Sequence, residues 1–123
     1  MASVLTNYAG NAMLAAVIVP GTTYYVALFQ ADPTALGSFV NEVAGGSYAR
    51  QPSTFATPSG KTTGNNVVLM YTNMPSCTVR YIGICKTLTG TTNDLLVYGL
   101  VSDIVVADGK SLSMEINDVT VTL

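Results

Sequence analysis

The chain has 123 residues, of which only 10% are Asp, Glu, Lys or Arg while 49% are hydrophobic. Ordinary soluble domains carry about 25% charged residues, so mixed surface charge is not what keeps this one in solution, and much of its surface is expected to be covered by partner chains. Net charge is −2, there is no histidine, and the five basic residues (Arg50, Lys61, Arg80, Lys86 and Lys110) are scattered. That pattern argues against nucleic acid and anionic membrane surfaces as partners, and against His-based catalysis or zinc ligation.

The first twenty residues are rich in Ala, Leu and Met and predict one short helix, which Ser3 or Thr6 could cap and Pro20-Gly21 ends. Val4, Tyr8, Ala12 and Ala15 fall on one helical stripe. Gly10 weakens the helix by about 1 kcal/mol relative to Ala. The longest apolar run, Met13 to Val19, is too short for a membrane helix and lacks the basic start of a secretory signal. Synthesis and assembly in a cytoplasm are therefore expected.

After Pro20 the pattern is that of strands. Thr22 to Gln30 is β-branched and aromatic, and Asp32-Pro33-Thr34 begins a turn. Phe39 to Val43 predicts a short edge strand ended by Gly45-Gly46. Tyr48 to Phe55 predicts another, with Pro52 confined to an edge or bulge. Pro58 to Asn66 reads as a polar loop and Val67 to Thr72 as a strand. Val79 to Cys85 is near-continuously apolar, the pattern of a strand covered on both faces. Thr87 to Asn93 is a hairpin-type connection to a strand over Leu95 to Val101. Asp103 to Gly109 leads through a turn into Ser111 to Ile116. Finally Val119, Val121 and Leu123 alternate with threonines as in a half-buried strand.

These segments predict a single mainly β domain over 1–123: a β-sandwich, jelly-roll-like, with seven or eight strands over 22–123 and a helical segment over 1–20. Parallel βαβ units are excluded because no helices separate the strands.

Cys77 and Cys85, if on one strand, lie about 26 Å apart at strand rise, well beyond disulfide reach. They read as small buried hydrophobes. The acids Asp103, Asp108 and Asp118 fall near predicted turns that could share one end of the sandwich, without the Asp-x-Asp-x-Asp-Gly run of a calcium loop. No carboxylate pair is placed for glycoside hydrolysis. Neither Gly45-Gly46-Ser47 nor Thr62-Thr63-Gly64 stands between a strand and a helix as a phosphate loop does. No cofactor, no metal and no enzymatic activity are therefore expected. The many tyrosines suit core and interface packing.

Several segments, in order, resemble a family of short bacteriophage virion structural proteins usually labelled tail fibre proteins. The matching residues are Thr6 to Leu14, Tyr25 to Thr34, Asn41 to Gln51 with Phe55 following, Ile82-Gly83-Ile84, Leu95 to Leu100, and Val119 to Leu123. Cys85-Lys86 departs from the pattern, which suggests a bulkier apolar residue and then an acidic one.

The resemblance implies a virion component. With the low charge and the absence of a repeated shaft, it favours a capsid decoration or cement protein, a homo-oligomer such as a trimer bound to the major capsid protein. The alternative is a tail fibre or tail-tip protein acting in host-surface binding. Interface positions are expected at Tyr8 and Ala12 on the helix and at Tyr48, Arg50 and Gln51. Arg50 in particular is expected to hydrogen-bond a carbonyl or carboxylate, within the chain or across an interface, because its planar fork donates several bonds at once.

Overall fold

The structure, a computed structural model, describes residues 1–123. The chain runs through one helix, α1 (Asn7–Val17), and eight strands: β1 (Tyr24–Phe29), β2 (Gln51–Ser53), β3 (Thr62–Gly64), β4 (Leu69–Tyr71), β5 (Cys77–Cys85), β6 (Leu95–Val106), β7 (Leu112–Met114) and β8 (Thr120–Thr122). The mainly β class with one short N-terminal helix is as expected. All pairings are antiparallel: a four-stranded sheet in the order β2-β1-β5-β6, and two ribbons, β3-β8 and β4-β7.

The pleat of β1 explains how the layers stack. Tyr24, Val26 and Leu28 point to one face and join Leu69 and Tyr71 of β4, Met114 of β7, Val119 and Phe55 in the principal core. Ala27 and Phe29 point to the other face and form a smaller cluster with Cys85, covered by Phe39, Tyr81 and Leu95. The central strands thus bury both faces, as the apolar run through β5 predicts. Apolar layers face each other across the core in a sandwich-like arrangement. Cys77 and Cys85 end the same continuous strand, and both are buried free thiols.

Three segments differ from the sequence reading. Phe39 to Val43 is not a strand; only a single bridge, Phe29 to Glu42, forms there. The polar loop after Pro58 contains β3, whose Thr62, Thr63 and Gly64 pair with Thr122, Val121 and Thr120 of β8. A strand whose exposed side chains are hydroxyls carries no apolar alternation to reveal it. Asp103 lies inside β6, which continues to Val106, and not at a turn.

Thr6 caps α1, its hydroxyl accepting the Ala9 N–H at 3.2 Å. The buried face of the helix is Gly10 and Leu14, continued by Ile18. Gly10 permits close docking, since a Cβ there would overlap the Lys61 side chain. Lys61 in turn donates its backbone N–H to Asn11 Oδ1 at 2.7 Å and its Nζ to the Leu5 carbonyl at 3.2 Å. The stripe of Val4, Tyr8 and Ala12 therefore faces outward. Helix α1 is too short and apolar on too few turns to cross a membrane, and no other helix is present.

Candidate functional site

The most highly connected side chain is Arg50, only 4% exposed. It lies just before β2, where pairing with β1 brings the chain across the end of the sheet. Its Nε and Nη2 donate to Glu42 Oε2 and Oε1 at 2.9 and 3.0 Å, a bidentate pair. Its Nη1 donates to the carbonyls of Thr87 and Gly90 at 3.0 and 2.8 Å and to Asp94 Oδ2 at 3.1 Å. The guanidinium carbon sits 4.4 Å from the centre of the Phe39 ring.

The network continues outward. Asp94 Oδ1 accepts the Thr87 hydroxyl at 2.9 Å, and the same hydroxyl oxygen accepts the Gly90 N–H at 2.9 Å. The Tyr48 hydroxyl donates to Glu42 Oε2 at 2.8 Å and accepts the Leu28 N–H of β1 at 3.0 Å. Its ring stacks on Tyr71, with centroids 6.0 Å apart and planes 6° from parallel. Tyr71 donates its hydroxyl to the Val26 carbonyl at 2.7 Å. No buried side-chain nitrogen or oxygen lacks a partner.

Electrostatics follow from this burial. Burial works against the Arg50 charge, but the hydrogen bonds and charge of Glu42 outweigh it and hold the guanidinium above its ordinary pKa. Burial pushes the phenols of Tyr48 and Tyr71 well above their ordinary range. The Cys85 thiol is pushed up to about 12 by burial, against a lowering influence from Arg50. Groups held so firmly in one protonation state are suited to bracing. Arg50 ties the segment from Phe39 to Gln51, the connection from Thr87 to Asp94, and the end of the sheet into one rigid unit.

Of the positions expected at an interface, Tyr48 and Arg50 therefore have their polar groups engaged within the chain. Gln51 is half-buried, its amide donating to the Ala49 carbonyl at 3.0 Å. Tyr8 and Ala12 are exposed on α1, Tyr8 at 86%. Glu42 and Asp94, the acids that complete the Arg50 network, were not singled out by sequence reasoning. They stand 8 and 44 positions from Arg50, and no local pattern links them. Asp103, Asp108 and Asp118 do not converge into a cluster of metal-ligating groups. Asp103 pairs with Arg80 at 3.6 Å, and Asp118 accepts the Glu115 N–H at 2.8 Å.

The outer surface is apolar on several separate elements. Val4, Tyr8, Met13 and Val17 are exposed on and before α1, Leu36 and Val40 in the loop after β1, and Leu100 and Val105 on β6. There is no charged residue before Asp32.

A protein-family model described as Podophage GP4 fiber I protein gp80 matches residues 1–122. No curated protein matches the chain.

Proposed function

The chain belongs to the podophage GP4 fiber I protein gp80 family and is a structural component of the bacteriophage virion, and on that footing we propose that it is a non-catalytic assembly module of a virion fibre. It works by burying its uncharged faces against neighbouring virion proteins. The observation that carries this reading is the outer face of α1. Tyr8, Met13 and Val17 lie exposed on a helix with no acidic residue in its first turn and no basic residue in its last. Apolar patches of this kind mark interaction sites. Tyr8 and Ala12 then act at the contact, while Arg50 and Tyr48 hold the body rigid behind it.

A second reading places the chain on the head as a trimeric cement protein clamping major capsid subunits, with the fibre assignment as its competitor. It is favoured by the spread of exposed apolar residues over α1, the loop from Leu36 to Val40, and β6, which suits contact with several neighbours at once. The test for both is the position of the chain in purified particles, by antibody labelling in electron microscopy. Label on fibres supports the first reading; label distributed over the shell overturns it in favour of the second. Omitting the chain should shorten or remove fibres on the first reading, and lower the heat resistance of heads on the second.

A further inference from the structure

We draw no further inference here: the strongest candidate, the open apolar groove between β6 and β8 walled by Ile82, Val97, Val101, Val119 and Val121, is an unpartnered face, and nothing in the structure shows what covers it.

Discussion

Arg50 and Glu42 meet through two near-equal contacts, Nε to Oε2 at 2.9 Å and Nη2 to Oε1 at 3.0 Å, in a site where the arginine side chain is 3% exposed. The pair joins positions eight apart in the chain, and the third nitrogen carries the connection to Thr87, Gly90 and Asp94. An ion pair at the surface contributes little to stability. A buried one is costly to break, because the abandoned charge has nowhere to go.

Arg50→Ala should therefore destabilise the chain by about 3–5 kcal/mol, the range for removing one partner of a buried pair. It strands Glu42 and Asp94 together and leaves two carbonyls without a donor. Arg50→Lys keeps the charge but cannot fork to both Glu42 oxygens while reaching the Thr87 and Gly90 carbonyls, so it should fall between parent and alanine variant. Urea denaturation monitored by circular dichroism measures both. A variant series with unchanged midpoints would show that the network is not holding the fold.

The phenols and thiols set an upper limit of stability on the pH scale. Tyr48, Tyr71, Cys77 and Cys85 are all weak acids whose pKa burial raises on folding, Cys85 to about 12. The folded state then binds more protons than the unfolded state above the unfolded pKa values, about 9 for the thiols and 10 for the phenols. Stability is fully present below that range and falls as pH rises through it. Unfolding midpoints should hold up to about pH 8.5 and drop above pH 9. Cys85 should resist alkylation at pH 8.5 until denaturant is added, whereas an accessible thiol would react at once. Rapid labelling of Cys85 in native protein would contradict the burial described.

Gly46 is held by its backbone. It has φ +54°, and a Cβ there would overlap the Asn73 carbonyl oxygen, a main-chain atom that cannot swing aside. That same carbonyl accepts the Ser47 N–H at 2.8 Å, so displacement also strains a hydrogen bond. Gly46→Ala should cost about 2–4 kcal/mol, combining left-handed strain with overpacking. Gly60 has φ +59° but open space around it, so Gly60→Ala should cost only about 1 kcal/mol. Thermal melts of the two variants separate strain from crowding.

Much of the architecture was legible because it depends on local pattern. The near-continuous apolar run of β5, broken at Arg80, announced burial on both faces, and Tyr24 to Phe29 announced its neighbour in the sheet. β3 was hidden because Thr62 and Thr122 meet across the ribbon through their hydroxyls at 3.0 Å, a pairing that leaves no hydrophobic period. Phe39 looked like a strand residue and is instead the ring beneath Arg50. Arg50 itself could be read as a multiple donor from its chemistry. Its acceptors could not, since two are backbone carbonyls and Asp94 stands 44 residues away. The helix formed where it was expected. Nearly every residue of α1 is small or apolar, so the pattern fixed the helix but not which side faces inward.

The two faces of α1 give the sharpest separation of fold from assembly. Leu14 is 3% exposed and belongs to the principal core; Met13, one position earlier, is 53% exposed. Leu14→Ala should lower stability by about 2–4 kcal/mol through lost transfer energy and a cavity. Met13→Ala should change it by less than about 0.5 kcal/mol, as surface substitutions do. Assembly should show the opposite ranking among variants that fold. Ala16→Glu places a charge on the exposed face, where burial against a neighbour would leave it desolvated and unpaired. Purified Ala16→Glu should therefore melt like the parent yet be largely missing from particles when it replaces the parent chain during infection. Protein blots of purified virions measure the incorporated fraction. Normal incorporation of Ala16→Glu would remove the outer face of α1 from the assembly surface and leave β6 and the Leu36 to Val40 loop as the faces to test.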